Sequence, residues 1–307
     1  MKQDQTPEVL VLAGPTAVGK TAVGLVLAQR LKAHIISADS RQIYKGLDIG
    51  TAKPTAVELQ TAPHHMTDIL TPDLAYSAAA FAIEARRVMD ELDEKDQAYI
   101  IAGGSGLYLK ALTEGLVDIP SADQSIRQGL KDFSQAKGNQ ALLQRLAECD
   151  PETAQRLKLN DEVRIIRALE VFMLTGKPLS LWFREKRLGD DRNYNLIVLD
   201  LDRQTLYQRI ESRVDDMISL GLLDEVKKLM ERGYGPDSPG MQTVGYQELM
   251  AHLAGKTDLA EAVRLIKRNT RHYAKRQLTW FRKMNYQQWI NCSPSDGPED
   301  IANKLSV

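Results

Sequence analysis

The residues Gly14 to Thr21 read GPTAVGKT and have the glycine, lysine and hydroxyl spacing of a phosphate-binding loop. An apolar run at 9–13 precedes the loop and a helical pattern at 22–31 follows it, as such a loop requires. Backbone N–H groups in this geometry surround phosphate oxygens, Lys20 adds a positive charge, and the Thr21 hydroxyl can bind Mg²⁺. The loop therefore predicts a di- or triphosphate site, and it leaves open what the phosphates are attached to.

A second polar cluster, in ADSRQIYKGLDIGTAKP, follows the predicted strand His34–Ser37. In an open α/β sheet, ligands bind at the carboxyl ends of the strands. A carboxylate at that place, here Asp39, can bind Mg²⁺ through water or accept a proton from a nucleophile. The alternative is that Asp39 only caps a turn, because Asp and Ser are favoured loop residues.

A third motif, IIAGGSGLY, joins a predicted strand to a helix through Gly103–Gly106. Many P-loop ATPases have an acidic residue at this strand end, where it positions Mg²⁺ and water. Glycine at this position argues against ATP hydrolysis. It predicts instead a backbone that approaches a ligand closely, with Ser105 as a hydroxyl donor, although a plain strand-to-helix turn would explain the motif equally well.

The segment Val263–Met284 has helical character and carries eight Lys or Arg and no acidic residue. The basic residues that share one face of the helix are Arg264, Arg268, Arg271, Lys275 and Arg282, with Tyr273, Trp280 and Phe281 interleaved. Such a face suits RNA phosphates and stacking on unpaired bases. The alternative is a solvated face, but solvated faces normally mix charges of both signs.

Two weaker features concern arginine and histidine residues. The side chains of Arg203, Arg209 and Arg213 could reach a pyrophosphate, or they could pair with the neighbouring Glu211, Asp215 and Asp216. The histidines of PHHMTDI, His64 and His65, have no carboxylate or thiol at ligand spacing, so we expect substrate or loop contacts from them rather than metal binding.

Candidate strands recur along the chain with helical patterns between them, at Val9–Ala13, His34–Ser37, Tyr99–Ala102 and Leu196–Leu201. This alternation predicts an α/β fold of the P-loop NTPase type, with a doubly wound parallel sheet. Strand signals are missing from 115 to 191, where helices are predicted at 125–136, 140–146 and 161–175. We therefore predict a catalytic core formed by residues 1–114 and 192–307, and a helical insertion domain at 115–191.

Capping residues and loops define the remaining predicted helices. The last helix of the insertion is predicted to begin after Asn160 and to end at Gly176. Two further helices are predicted at 204–232 and 259–281, separated by a loop rich in glycine and proline.

Composition restricts the function classes. The 307 residues have a net charge of −1, so any surface for nucleic acid must be a local one. The two cysteines lie far apart, which argues against a disulfide framework and a zinc site. The N-terminus is too polar for a signal peptide, and no apolar run approaches the roughly 20 residues of a membrane span. We expect a cytoplasmic, monomeric protein that does not bind a membrane.

Taken together, the motifs GPTAVGKT, DSRQIY, DIGTAKP, PHHMTDI, GGSGLY, RALEV, VGYQE and AKRQLTWFR resemble those of the bacterial tRNA dimethylallyltransferases, also called tRNA isopentenylpyrophosphate transferases. The resemblance extends from about residue 9 to 282. It implies Mg²⁺-dependent transfer of a dimethylallyl group from dimethylallyl diphosphate to N6 of adenosine 37, which is 3′-adjacent to the tRNA anticodon, with release of pyrophosphate. Eukaryotic relatives carry a C-terminal zinc finger that this sequence lacks, so we expect the bacterial form.

The resemblance also implies roles for individual residues. The implied catalytic residues are Asp39, Thr21 and Ser105, with Mg²⁺ bound by Thr21 and, through water, by Asp39. The implied diphosphate-binding residues are Gly14, Pro15, Thr16, Ala17, Val18, Gly19, Lys20, Thr21 and Arg213. The implied tRNA-binding residues are Asp39, Ser40, Arg41, Gln42, Ser105, Arg164, Arg167, Gln242, Gly245, Tyr246, Arg271, Lys275, Arg276, Gln277, Trp280 and Arg282. The helical insertion would grip the anticodon stem.

Three other functions compete with this one. A small-molecule kinase of the adenylate- or shikimate-kinase type would explain the phosphate-binding loop but not the basic helix. An isopentenyltransferase acting on free adenine nucleotides would share the chemistry without needing the insertion or the basic face. The third is a nucleotide-binding scaffold without catalysis.

Overall fold

The computed structural model describes residues 8–117, 119–120, 122–185 and 189–305. They form two compact units. The first comprises the described residues of Met1–Thr113 and Asp190–Val307, and the second those of Glu114–Gly189.

A six-stranded parallel sheet forms the centre of the first unit. The strands are β1 (Glu8–Ala13), β2 (His34–Ser37), β3 (His64–His65), β4 (Tyr99–Gly103), β5 (Asn193–Leu201) and β6 (Gln288–Cys292), in the spatial order β3-β2-β4-β1-β5-β6. The inner strands are almost wholly buried because helices cover both faces of such a sheet. This architecture confirms the predicted α/β fold.

Thirteen helices are present among the described residues. In chain order they are α1 (Lys20–Leu31), α2 (Ala56–Thr61), α3 (Ala78–Asp93), α4 (Gly106–Thr113), α5 (Gln124–Cys149), α6 (Pro151–Arg156), α7 (Glu162–Thr175), α8 (Leu179–Trp182), α9 (Arg203–Ser219), α10 (Leu222–Glu231), α11 (Tyr246–Leu253), α12 (Leu259–Phe281) and α13 (Pro298–Asn303). Helices α5 to α8 lie in the second unit, and a short 3-10 turn, Gly240–Gln242, precedes α11.

Two predicted helix boundaries are wrong. The single helix predicted at 204–232 is two helices, because Gly221 adopts φ 98° between α9 and α10, a conformation that helical residues do not have. The residue before α7 is Asp161, not Asn160. The predicted end of that helix at Gly176 is confirmed, and its φ of 68° is the left-handed conformation usual after a helix.

The second unit has an apolar core of its own. Side chains from α5 and α7 form most of it, including Leu142, Leu146 and Ile165, each fully buried. Helix α5 is interrupted at Gly138, where φ is 81°, which agrees with the two separate helices predicted for this segment.

No helix in the described ranges is long and apolar enough to cross a membrane. Both Cys149 and Cys292 are free thiols.

Candidate active site

A cavity of about 890 Å³ lies in the first unit, where three neighbouring strands end. The strands β1, β4 and β2 lead respectively into the phosphate-binding loop, the glycine-rich turn and the segment that contains Asp39. The side chains of Lys20, Thr21, Asp39 and Arg213 all line this cavity. Residues from three separate motifs therefore meet at one place, as the strand order requires.

The phosphate-binding loop depends on glycine at both of its ends. Gly14 has φ 153°, and a Cβ there would lie 2.6 Å from the Leu199 carbonyl oxygen on β5. Gly19, which directly precedes α1, has φ 107°. Lys20 Nζ donates a hydrogen bond of 2.7 Å to the Pro15 carbonyl oxygen, so the ammonium group lies against the loop. The backbone thus has the tight turn that phosphate binding needs.

Lys20 and Arg213 bring positive charge to the cavity. Burial is the main cause that lowers the pKa of Lys20 from 10.5 to about 8, while Asp39 opposes this change and Arg213 adds to it. Burial also lowers the pKa of Arg213, against the effects of Asp39 and Glu58. A guanidinium remains charged near neutral pH despite such a shift, because its ordinary pKa is above 12. The cavity therefore suits a polyanion.

Two of the three carboxylates that could have paired with Arg213 have other partners. Glu211 accepts a hydrogen bond from Arg271, and Asp215 accepts one from Lys267. Arg213 Nη1 donates instead to the Thr16 hydroxyl of the phosphate-binding loop, at 3.5 Å. This placement favours the phosphate-binding interpretation of Arg213 over the ion-pair alternative.

Asp39 uses one of its two carboxylate oxygens locally. Its Oδ1 accepts a hydrogen bond of 2.8 Å from the Arg41 backbone N–H, so the turn-capping alternative is part of the structure. Its Oδ2 receives no hydrogen bond from the described residues. Asp39 also lies close enough to Lys20 and Tyr273 to influence the pKa of both groups. One oxygen of Asp39 thus remains for a ligand in the cavity.

The glycines of the GGSG turn face protein atoms. A Cβ on Gly103 would lie 2.2 Å from the Ala38 carbonyl oxygen, and one on Gly106 would lie 2.1 Å from the Trp280 ring. Ser105 is buried, and its Oγ accepts a hydrogen bond of 2.8 Å from the Ser40 N–H. Close packing between β4, the Asp39 segment and α12 explains these glycines, and Gly103 also lines the cavity.

Gln277 joins the phosphate-binding loop to the GGSG turn. Its Oε1 accepts a hydrogen bond of 2.9 Å from the Thr16 N–H, and its Nε2 donates one of 2.8 Å to the Gly104 carbonyl oxygen. The side chain is buried and both ends of its amide are used. Gln277 therefore holds the two loops together, and its predicted contact with tRNA stays a prediction.

We expect Gln277→Ala to lower the free energy of unfolding by about 2 kcal/mol, because it leaves the partly buried Thr16 N–H and the buried Gly104 carbonyl without partners. Urea titration checks this result. Lys275→Ala, at an exposed position of the same helix, is the matched control and should change stability little. Equal unfolding midpoints for both variants would contradict the assigned role.

The sequence indicates Tyr273 only as an aromatic residue within the basic helix and does not predict its place in the cavity. Its ring lines the cavity and its hydroxyl is within hydrogen-bonding reach of Ser105. Burial, and secondarily Asp39, raises the pKa of Tyr273 to about 12, so the phenol stays protonated. The spacing of Tyr273, Gln277 and Trp280, four and three residues apart, puts them on one helix face and would have indicated this role.

Two predicted RNA-contacting residues near α11 are internal. Tyr246 is fully buried, and Gly245 is buried with φ 99° at the start of the helix. This burial corrects the expectation that they contact tRNA directly. Gln242 is exposed and stays a candidate.

In the DSRQ segment, the side chain of Gln42 forms hydrogen bonds within the protein. Its amide donates to the Thr51 and Ala52 carbonyl oxygens, and its Oε1 accepts from Ser37. Arg41 donates a hydrogen bond of 3.2 Å to the Pro239 carbonyl oxygen. The amide of Gln42 is therefore committed to the protein, whereas Ser40 and Arg41 remain candidates for contact with RNA.

The basic face of α12 is partly neutralised in the folded protein by acidic residues from outside the segment Val263–Met284. Ion pairs join Arg264 to Glu261, Lys267 to Asp215 and Arg271 to Glu211. The basic residues without an ion pair to any described residue are Arg268, Lys275, Arg276, Arg282 and Lys283, all exposed. Trp280 is half-buried. The five unpaired residues, referred to below as the exposed part of α12, carry one sign of charge.

In the second unit, the two arginines predicted to contact tRNA differ. Arg167 donates to Glu170, which is fully buried and also accepts from Arg127. These partners lower the pKa of Glu170 in spite of its burial, so Arg167 stabilises a buried charge. Arg164 is exposed and lies 4.0 Å from Asp161. Arg164 is thus the better placed of the two for an external anion.

The described residues contain no group of three or more His, Cys, Asp or Glu that could hold a metal ion. His65 Nε2 lies 2.8 Å from His34 Nδ1, and His64 Nδ1 lies 2.8 Å from the Ala62 carbonyl oxygen. Burial lowers the pKa of all three histidines. The imidazoles thus favour the neutral form and contact the protein.

Comparison with known proteins adds independent findings. The model of the IPP transferase family matches residues 42–284. The tRNA dimethylallyltransferase 2 of Geotalea uraniireducens is 50% identical over 285 residues, which are 92% of each chain. The tRNA dimethylallyltransferase of Geobacter metallireducens is 46% identical over 292 residues, 94% of each chain.

Comparison with solved structures agrees with the sequence comparisons. The full-length tRNA isopentenylpyrophosphate transferase of Bacillus halodurans superimposes with a TM-score of 0.70 at 40% identity, covering 96% of this chain and 93% of the other. A eukaryotic dimethylallyltransferase described as acting on tRNA superimposes with a TM-score of 0.77 at 30% identity, covering 91% of this chain and 71% of the other.

Proposed function

The chain belongs to the IPP transferase family, and we propose on this basis that it transfers a dimethylallyl group from dimethylallyl diphosphate to N6 of the adenosine 3′-adjacent to a tRNA anticodon. The observation that carries the proposal is the meeting of Lys20, Arg213 and Asp39 in one cavity. Two cations there suit a leaving diphosphate, and the carboxylate suits an amine that must lose a proton.

The reaction breaks the bond between C1 of the allyl group and the diphosphate oxygen, and the electron pair leaves with pyrophosphate. The N6 lone pair forms the new bond to C1, and a proton then leaves N6. Lys20 and Arg213 stabilise the charge that grows on the departing phosphates. Asp39, with one oxygen held by the Arg41 N–H, orients N6 with the other oxygen and accepts its proton.

Magnesium fits this donor set. Mg²⁺ is usually held by one or two protein oxygens together with substrate phosphates, so a cluster of three acidic residues is not required. The Thr21 hydroxyl, and Asp39 through water, would hold it at the cavity. When bound, the ion would neutralise charge on the diphosphate.

Recognition of tRNA is proposed for the exposed part of α12, together with Ser40, Arg41, Gln242 and Trp280 of the first unit. An adenine that is stacked in an RNA loop cannot enter this cavity, so the base must flip out. The second unit, with its exposed Arg164, is proposed to grip the anticodon stem.

A transfer assay separates this function from its rivals. We expect label from dimethylallyl diphosphate to enter tRNA, and not AMP, while labelled ATP transfers no phosphate to either. Label in AMP would favour the enzyme of free nucleotides, and phosphate transfer would favour a kinase. Binding of either labelled compound without any transfer would favour a nucleotide-binding scaffold without catalysis.

The lowered pKa of Lys20 predicts that dimethylallyl diphosphate binds less tightly above about pH 8. Bound diphosphate favours protonated Lys20, so binding at higher pH must take up a proton, and the affinity should fall by about tenfold per pH unit. Calorimetry in buffers of different ionisation enthalpy measures both affinity and proton uptake. In Lys20→Arg the affinity should be lower but independent of pH, whereas a fall in both proteins would assign the titration to another group.

The exposed part of α12 predicts a salt-dependent contribution to tRNA binding. The triple variant Arg268→Gln, Lys275→Gln and Arg282→Gln should flatten the slope of log affinity against log salt by roughly 0.7 to 0.9 for each phosphate that is no longer neutralised. The control triple, Arg264→Gln, Lys267→Gln and Arg271→Gln, removes the same charge from ion-paired residues of the same helix and should change the slope less. Filter binding at several salt concentrations measures both. Equal slopes in wild type and the first triple would contradict the proposed surface.

A further inference from the structure

The segment 48–54, DIGTAKP, forms one wall of the cavity. Six of its residues line the cavity, with Asp48, Ile49 and Lys53 among them. The segment contains no helix or strand, so its backbone groups need partners elsewhere. Ala52 has φ 48°, a conformation that costs energy in a residue other than glycine. Contacts from the surrounding structure must therefore hold this wall in place.

Glu225, in the first turn of α10, supplies the principal contact. Its Oε2 accepts hydrogen bonds from the N–H groups of Asp48 at 3.1 Å and Ile49 at 2.8 Å. Its Oε1 accepts a third from the Gly50 N–H at 3.2 Å. Three consecutive backbone donors thus converge on one carboxylate, and these hydrogen bonds fix the turn.

Tyr246 completes the arrangement from α11. Its hydroxyl donates a hydrogen bond of 2.5 Å to Glu225 Oε1, and its ring is fully buried. A Cβ on Gly50 would lie 2.5 Å from this ring, so the segment packs directly on it. Burial, followed by the charge of Glu225, raises the pKa of Tyr246, so its hydroxyl stays a donor.

On the cavity side, the wall is partly apolar. Ile49, Ala52 and Pro54 line the cavity, as do Met217 and Leu220 from the end of α9. If the phosphate-binding loop holds the diphosphate, as in the proposed function, the hydrocarbon chain of the substrate needs such an apolar lining. The position of the wall then limits how long that chain can be.

We propose that Glu225, assisted by Tyr246, is a positioning residue that fixes the 48–54 wall and thereby sets the length of allylic chain that the cavity accepts. Glu225 acts through the backbone of the wall. The chain-length part of this inference rests on the proposed function, whereas the fixing of the wall does not.

Hydrogen exchange tests the fixing of the wall directly. Glu225→Gln places an amide N–H₂ against backbone N–H groups, so at least one hydrogen bond to the wall is broken. We expect the peptide containing Asp48, Ile49 and Gly50 to exchange about tenfold faster or more. Tyr246→Phe keeps the ring and removes one donor, so a smaller increase is expected. Asp224→Asn removes a neighbouring, exposed charge from the same helix turn and should not change exchange.

Chain-length selectivity tests the consequence for the reaction. The measured quantity is kcat/KM for geranyl diphosphate divided by kcat/KM for dimethylallyl diphosphate, with saturating tRNA. We expect this ratio to rise several-fold in Glu225→Gln and to stay unchanged in Asp224→Asn. A general loss of folded enzyme lowers both rates equally and leaves the ratio unchanged, so an unchanged ratio overturns the selectivity role.

The two measurements separate the possible failures. Unchanged exchange in Glu225→Gln and Tyr246→Phe overturns the positioning role whether or not the enzyme is active. If the wild-type protein transfers no prenyl group from either diphosphate, the proposed function fails and the chain-length role fails with it. Hydrogen exchange would still decide whether Glu225 fixes the wall.

Discussion

Asp39→Asn is expected to lower kcat for prenyl transfer by about a hundredfold or more. The Asn side-chain oxygen can still accept the hydrogen bond from the Arg41 N–H, so the local turn is retained. The ability to accept a proton from N6 is lost. Asp39→Ala should show a similar loss of kcat, with dimethylallyl diphosphate binding nearly intact in both variants. Single-turnover transfer, measured by rapid quench, checks the chemical step.

The matched control for Asp39 is Asp216→Asn. Asp216 also lines the cavity, so the substitution changes the charge there equally. Its kcat should stay close to that of wild type. An unchanged single-turnover rate in Asp39→Asn, or an equal loss in both variants, would contradict the assignment of Asp39 as the proton acceptor.

Lys20→Ala is expected to lower kcat/KM for dimethylallyl diphosphate by about a thousandfold, because a single preorganised group that stabilises developing charge typically contributes 10² to 10³ and Lys20 also contributes to binding. Thr21→Ala should remove most of the dependence of the rate on Mg²⁺ concentration. Steady-state kinetics over a range of Mg²⁺ concentrations checks both variants.

Affinity for tRNA is the internal control for the loop variants. Neither Lys20 nor Thr21 is proposed to contact RNA, so tRNA should bind both variants as it binds wild type in filter assays. A loss of tRNA affinity that exceeds the loss of diphosphate affinity would mean that the loop has another role.

The central sheet and the phosphate-binding loop could be predicted because their signals are local in sequence. An apolar strand, a glycine turn and a helix start follow one another within residues 9–31. The strands β3 and β6 could not be found in this way. The first has two residues, and the second is only partly buried for most of its length, so neither gives an apolar run.

Contacts between distant residues account for the roles of site residues that the sequence did not predict. Gln277 contacts Thr16 across 261 positions of sequence, and nothing near either residue indicates the pair. The basic face of α12 gives no local sign that Glu211 and Asp215 of α9 neutralise part of it. The burial of Tyr246 likewise depends on α10 and on the 48–54 segment. A motif therefore identifies the residues of a site more readily than their individual roles.

The most direct test of the proposed function is to determine which nucleoside of tRNA receives the label. Unmodified tRNA is incubated with the protein, Mg²⁺ and labelled dimethylallyl diphosphate, then digested and separated by nuclease fragment and by nucleoside. The account predicts label on N6 of the single adenosine that is 3′-adjacent to the anticodon, and an initial rate of labelling about a hundredfold lower with Asp39→Asn under the same conditions. Label at another position, or undiminished label with Asp39→Asn, would contradict it.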